Sequence, residues 1–328
     1  MILEQLLKGI AVKATLYVEG FEDKEITSIC FDSREVKPGC MFVAIVGTNS
    51  NGHIYIDEAS RKGAVAIVCE KLPQLLFPDI SYIVVPNSHK ALALLASNYY
   101  ENPSKELTLV GVTGTNGKTT IATLLYQLFK KRGEKAGLLS TVAVYVDEDR
   151  YEATHTTPDP LQLNRYLRTM VAQGVQYCFM EVSSHGIDQG RTEGLLFAGG
   201  VFTNLTRDHL DYHETFAAYR DVKKHFFDNL PATAFALVNN DDKNGAYMLQ
   251  NTKAHKYTYA LKTTADFKAY IIENRFDGLL LRINQQEVWT KLIGEFNAYN
   301  LLAVFGVATL LGVDKIEALT LLSSISPV

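Results

Sequence analysis

The residues whose types and spacing suit chemistry are densest in Gly114-Thr115-Asn116-Gly117-Lys118-Thr119-Thr120. Closely spaced glycines allow backbone angles and close approaches that side chains block. They are followed directly by an ammonium and two hydroxyls. Backbone N–H groups at a helix start would face an anion, with the Lys118 ammonium reaching outer phosphates and the Thr119 hydroxyl reaching Mg²⁺. The stretch therefore predicts a cradle for Mg·ATP. The strict form of this pattern wants glycine at position 112, where the chain has Val112, so the loop is a variant. An ordinary glycine-rich turn is the alternative, and the strand–turn–helix context argues against it.

Other reactive types gather at the ends of apolar runs. Glu181 closes the run 176–180, and a carboxylate at a strand end near the loop is placed to hold Mg²⁺ directly or through water. A solvated loop acid is the other reading. Asp208, His209, Asp211 and His213 follow the run 200–203, which should end on the same sheet edge as Thr119 and Glu181. Hydrogen-bonded loop histidines are the bland alternative there. Lys223 and Lys224 sit on a predicted helix over 219–227, where solvated surface lysines are the ordinary expectation.

The elements that must position these groups can be read from periodicity. Residues 107–112 suit a parallel strand buried on both faces. Ile121, Leu124, Leu125, Leu128 and Phe129 recur at helical spacing, and Gly133 is a stop signal. Before this lies a smaller α/β unit: two strands and a turn within 26–46, a helix over 54–62, strands at 64–69 and 82–85, and a helix over 88–100 capped by Ser88. Asn102-Pro103-Ser104 breaks that helix, which places a boundary between domains 1–103 and 104–328. In the second domain the runs 234–238 and 276–283 read as further strands, and 301–311 and 315–322 as helices. The predicted fold class is α/β, with a small N-terminal domain before a mostly parallel-sheet, phosphate-loop domain.

At 328 residues and 47% hydrophobic content the chain can bury a large core. A net charge of −4 gives no reason to expect a nucleic-acid or membrane surface, while leaving room for a local basic pocket for phosphates. The four cysteines, Cys30, Cys40, Cys69 and Cys178, have no C-x-x-C pair and read as buried thiols rather than a zinc site or disulfides. No run approaches the ~18 apolar residues of a membrane span. A cytoplasmic location and small-molecule partners are expected.

Several stretches together resemble the ATP-dependent Mur ligases of peptidoglycan synthesis, and among them the type that makes the UDP-N-acetylmuramoyl-tripeptide. They are Asp32-Ser33-Arg34, the loop 114–120, Thr156-Thr157-Pro158-Asp159, Glu181-Val-Ser183-Ser-His185 with Gln189 and Arg191, the segment 202–213, Tyr219-x-x-x-Lys223 and Gly294-x-Phe296-Asn297-x-x-Asn300. The Val112 variant is usual in that family. The resemblance implies UDP-sugar contacts at Phe31, Ser33, Thr48, Asn49 and Ser50, and muramoyl-peptide contacts at Thr156, Thr157, Ser183, Gln189 and Arg191. It implies a nucleotide site of Gly114 to Thr120 with Asn297 and Asn300 near the adenine. Lys118, Glu181, His209 and Lys223 would be the catalytic set, with Thr119, Glu181, His209 and a CO₂-derived carbamate on Lys223 as metal ligands. His155 stands where some relatives have a nucleotide-contacting Asn, and its role is left open. The family also has a third, C-terminal domain that residues 1–328 do not include, so this stretch alone is expected to be inactive and monomeric. The implied reaction is amide formation through an acyl phosphate, adding diaminopimelate or lysine to UDP-MurNAc-L-Ala-D-Glu. A folylpolyglutamate- or cyanophycin-synthetase-like ligase and a non-catalytic nucleotide-binding homologue are the alternatives; joint retention of Lys118, Glu181, His209 and Lys223 argues against the last.

Overall fold

The structure is a computed structural model, and it describes residues 2–20, 25–47, 50–206 and 215–325. His209, Thr48 and Asn49, with Asp208, Asp211 and His213, lie outside the described residues. Two compact units are present. The first comprises residues 1–103, 159–168 and 189–195, and the second 104–158, 169–188 and 196–328.

The first unit carries β1 (Ala14–Leu16), β2 (Ser28–Cys30), β3 (Cys40–Val43), β4 (Ala66–Cys69) and β5 (Ser81–Val84) in the order β1-β5-β4-β3-β2. β2 to β5 run parallel and β1 pairs antiparallel at the edge. Every residue of β3, β4 and β5 is buried, as continuous apolar runs predict for a sheet covered on both faces. The helix Ser88–Tyr99 is capped by Asn87 and not by Ser88: Asn87 Oδ1 accepts from Lys90 N at 2.9 Å. Ser88 is occupied elsewhere, its hydroxyl donating to Glu70 Oε1 at 2.8 Å. The helix expected over 54–62 is a tight 3₁₀ turn, Gly52–Tyr55, followed by Ile56–Arg61, because the Asn51 side chain caps the turn through His53 N.

The second unit is built on β6 (Thr108–Thr113), β7 (Ala136–Leu139), β8 (Val144–Val146), β9 (Asp149–Tyr151), β10 (Tyr177–Glu181), β11 (Gly199–Phe202), β12 (Phe235–Asn239), β13 (His255–Ala260), β14 (Phe267–Arg275), β15 (Gly278–Ile283) and β16 (Gln286–Thr290). Their order is β16-β15-β14-β13-β12-β11-β6-β10-β7-β8-β9. From β14 through β7 every neighbouring pair is parallel, and the flanking pairs are antiparallel. The mixed α/β class with a mostly parallel sheet is as expected.

Packing brings the chemistry-bearing elements to one edge. One face of the sheet is covered by the helices Lys118–Lys131 and Glu295–Leu310, which share a core with Val110, Val112, Phe179, Val201 and Leu237. Glu295–Leu310 is buried almost all round, which is why its sequence is apolar without a polar stripe. On the other face, Phe226 of the helix Phe216–Asp228 lies against Gly111; a Cβ there would stand 2.7 Å from the ring. That close approach lets the helix, and Lys223 on it, sit next to the start of the loop. β6, β10, β11 and β12 all end on the same edge, with Glu181 opposite Val112 and Phe202 opposite Thr113. Open parallel sheets bind ligands outside these carboxyl ends.

Candidate nucleotide site

β6 ends at Thr113 and the helix begins at Lys118, so four residues make the turn. Gly114 has φ +146°, and a Cβ would lie 1.9 Å from Thr203 Oγ1, so no other residue fits there. Gly117 caps the helix with φ +90°. The first turn's N–H groups have no carbonyl four residues back in helical register, which is what makes a helix start receptive to an anion. Lys118 folds over the loop, its Nζ donating to Gly114 O at 3.1 Å and Thr115 O at 2.8 Å.

Lys223 is 1% exposed, and its Nζ donates to Gly114 O at 3.0 Å while lying 4.7 Å over the Tyr219 ring. Neither lysine of this helix is the solvated surface residue that its type would ordinarily be. Lys224 is also buried, paired with Asp228 at 2.6 Å and 5.6 Å over the Tyr247 ring. A cation this buried is tolerated only with such partners. Tyr219 is fully buried, and its hydroxyl meets Thr115 Oγ1 at 3.2 Å.

Glu181 is 1% exposed, which removes the solvated-acid reading. Its Oε1 accepts from Thr141 N at 2.7 Å, and its Oε2 accepts no hydrogen bond among the described residues. A buried carboxylate with one oxygen open, at the end of β10 beside β6, is a hard oxygen donor of the kind that suits Mg²⁺. Thr157 is buried against the same strand end, donating to Glu181 O at 2.9 Å and accepting from Ser183 N at 3.0 Å. Ser183 Oγ accepts from Gly186 N at 3.0 Å, and Thr156 Oγ1 accepts from Thr141 Oγ1 at 3.0 Å. Gln189 and Arg191 belong to the first unit, Arg191 Nη2 donating to Gln189 Oε1 at 2.6 Å.

A cavity of about 610 Å³ opens beside the loop, lined by Asn116, Gly117, Thr120, Asp241, Tyr299 and Asn300 among others. The helix expected over 301–311 begins at Glu295, so Asn297 and Asn300 lie one turn apart inside it, Asn300 Nδ2 donating to Asn297 Oδ1 at 3.0 Å. Sequence reasoning missed Asp241. Its carboxylate accepts from Leu261 N, Lys262 N, Thr263 N and Thr263 Oγ1 at 2.7–2.8 Å and from Tyr299 Oη at 2.9 Å. Burial alone would raise this carboxyl, but the donors of Lys262, Thr263 and Leu261 outweigh it and hold it well below the usual range. A depressed carboxylate stabilises the fold above its unfolded value and loses that contribution as the pH falls. Asp241→Asn is expected to cost about 1–3 kcal/mol near neutrality. That deficit should narrow as the pH falls below about 4, where the carboxyl of the unfolded chain begins to protonate while the folded one is still ionised. Denaturant titrations across this pH range check it, and a deficit independent of pH would show that charge is not what the knot uses.

In the first unit, a cavity of about 640 Å³ is lined by Phe31, Asp32, Ser33, Arg34, Ser50, Tyr55 and Glu58, so three of the predicted UDP-sugar residues share one pocket. Ser33 Oγ donates to Glu58 Oε2 at 3.1 Å, and Lys62 Nζ bridges Ser33 O and Glu58 Oε1 at 3.0 and 2.6 Å. Tyr55, Glu58 and Lys62 gave no signal in the sequence beyond helical spacing. His155 is exposed and touches only its neighbour Thr154 at 3.3 Å in the contacts described.

Two family models match the chain: the Mur ligase middle domain over residues 112–308, and the Mur ligase family, catalytic domain, over residues 25–100. The chain belongs to the Mur ligase family. This Mur ligase chain is 53% identical over 328 residues to the UDP-N-acetylmuramoyl-L-alanyl-D-glutamate–2,6-diaminopimelate ligase of Phocaeicola vulgatus, with 100% of the chain and 67% of that protein covered. It is 57% identical over 309 residues to the protein of the same name from Parabacteroides distasonis, covering 94% and 64%. A solved structure of that name superposes with a TM-score of 0.84 at 26% identity, over 100% of this chain and 67% of that one. The chain thus spans about two thirds of the length of these relatives. They carry the name of a diaminopimelate ligase and not of a folylpolyglutamate or cyanophycin synthetase. Among the described residues no helix is long and apolar enough to cross a membrane.

Proposed function

We propose that the chain supplies the UDP-sugar and nucleotide sites of an ATP-dependent ligase that joins 2,6-diaminopimelate to UDP-N-acetylmuramoyl-L-alanyl-D-glutamate in peptidoglycan synthesis. The observation that carries this reading is the 53% identity to the Phocaeicola vulgatus ligase over the whole chain. The loop, with its positive-φ glycines and Lys118 at the helix start, supports it.

In this reading the glutamyl carboxylate attacks the γ-phosphorus of ATP, ADP leaves with the bridging oxygen's electron pair, and an acyl phosphate forms. The diaminopimelate amine then attacks the acyl carbon, inorganic phosphate leaves and the amine gives up a proton. Activation is needed because a carboxylate oxygen is a poor leaving group and phosphate a good one. Lys118 and the loop amides hold the phosphoryl oxygens as charge develops on them. Thr119, Glu181, His209 and Lys223 would hold Mg²⁺, which when bound supplies positive charge to the triphosphate. Lys223 does so as a carbamate: its neutral amine adds CO₂ and loses a proton, turning a buried cation into an anionic oxygen donor. Phe31, Ser33, Thr48, Asn49 and Ser50 bind the uridine diphosphate. Thr156, Thr157, Ser183, Gln189 and Arg191 bind the muramoyl peptide, and Asn297 and Asn300 lie at the adenine.

Mass spectrometry of the whole protein incubated with ATP, the UDP-linked dipeptide and either diaminopimelate or lysine tests this. ADP and a diaminopimelate-containing tripeptide are expected, with lysine product at least about a hundredfold slower. No ATP-dependent product with diaminopimelate would end the proposal, and equal use of lysine would end its choice of amino acid.

A further inference from the structure

We propose that Thr203 and Asn204, the two residues leaving β11, are positioning residues that fix the phosphate loop before nucleotide arrives; this deepens the nucleotide site proposed above and rests on it. Thr115 N donates to Asn204 O at 2.8 Å, and Asn116 N donates to Asn204 Oδ1 at 3.0 Å. The Asn116 carbonyl accepts from Thr203 Oγ1 at 2.6 Å and from Asn204 Nδ2 at 3.1 Å. Both backbone polar groups of Asn116 are thus held by one strand end. Thr206 N adds a bond to Thr115 Oγ1 at 3.0 Å.

A turn of this kind has no helical or sheet ladder of its own, so its backbone groups must find partners elsewhere. Here the Gly114 and Thr115 carbonyls are met by Lys118 and Lys223, while the Thr115 amide and both polar groups of Asn116 are held by a single clasp. Because Asn204 engages the N–H groups of Thr115 and Asn116, the anion falls to the amides from Gly117 onward and to Lys118. The clasp also sets the shape of the loop in the absence of ligand, which lowers the ordering cost of binding.

The test uses the whole protein, with Mg·ADP affinity by calorimetry and steady-state kinetics of the ligation. Thr203→Val removes the hydroxyl with little change of shape, Thr203→Ser keeps it, and Asn204→Ala removes both side-chain bonds. Thr203→Val and Asn204→Ala should each weaken Mg·ADP binding and raise the ATP KM about tenfold, equivalent to about 1.4 kcal/mol. The KM for the UDP-linked dipeptide and kcat should stay within about threefold, since only nucleotide binding is affected. Thr203→Ser should restore the ATP KM, and the double variant should be little worse than either single one, because both act on the same carbonyl. Unchanged Mg·ADP affinity, or losses spread evenly over both substrates and kcat without rescue by serine, would overturn the clasp. A wild-type protein that binds Mg·ADP, loses that binding in the variants and yet forms no tripeptide would leave the clasp standing and remove the ligase. Failure of the wild type to bind Mg·ADP removes both.

Discussion

Lys118→Ala is expected to lower the rate of acyl-phosphate formation by at least about a thousandfold, the upper range for loss of a single donor aimed at developing charge. The size follows from its position. The ammonium lies over the loop, within 3.1 Å of two of its carbonyls, so its loss removes both a tie across the turn and the positive charge proposed above to meet the outer phosphates. Lys118→Arg is not expected to restore activity, because a planar fork does not replace a compact point charge in a closed loop. Phosphate release in the presence of the UDP-linked dipeptide and calorimetry with ATP report the two losses separately. Unchanged affinity and unchanged turnover would remove the loop from the nucleotide site.

Lys223→Arg carries the second large effect. The side chain is almost completely buried beneath the loop, against the Gly114 carbonyl and the Tyr219 ring. Arginine keeps the positive charge, cannot form the carbamate and is larger than the space. A fall of about 10²–10³ in turnover is expected, comparable to loss of a metal or oxyanion contact. The more telling measurement concerns CO₂. Wild-type protein stripped of CO₂ should regain activity on addition of bicarbonate, and ¹³C-labelled bicarbonate should give a carbamate resonance that Lys223→Arg lacks. An arginine variant with full turnover would exclude the carbamate.

The central elements were legible because their physical signals are strong. Ile121, Leu124, Leu125 and Leu128 are fully buried on the helix their spacing predicts, and β6, β10, β11 and β12 are the continuous apolar runs that two-sided burial demands. The flanking strands were harder. β9 is Asp-Arg-Tyr, exposed throughout, and β14 carries Glu273, Asn274 and Arg275 where it pairs antiparallel with β15, so neither reads as a core strand. The helix at Glu295 starts six residues before the apolar run, and those residues are illegible as helix because Asn297 and Asn300, poor helix formers, and the exposed Phe296 occupy its first turns. Lys224 was misplaced because its partner ring, Tyr247, lies more than twenty residues downstream. The same holds for Cys30 and Cys40. Both are buried, as expected, but the contact of their sulfurs at 2.6 Å across β2 and β3 is a tertiary fact with no trace in sequence spacing.

The strand order carries a consequence for the timing of synthesis. β6 and its loop leave the ribosome early in the second unit, yet the neighbours that flank it, β10 and β11, come later in the chain. The Asn204 side chain that holds the Asn116 amide is 88 residues behind it. At about 5–20 residues per second, that separation is a wait of several seconds. Throughout it the glycine-rich turn has been made and is tied by Lys118 alone, without the clasp that fixes Asn116. A nascent chain halted before Thr203 would carry every residue of the loop and still lack its clasp, so full affinity for nucleotide would come only once β11 has emerged and paired.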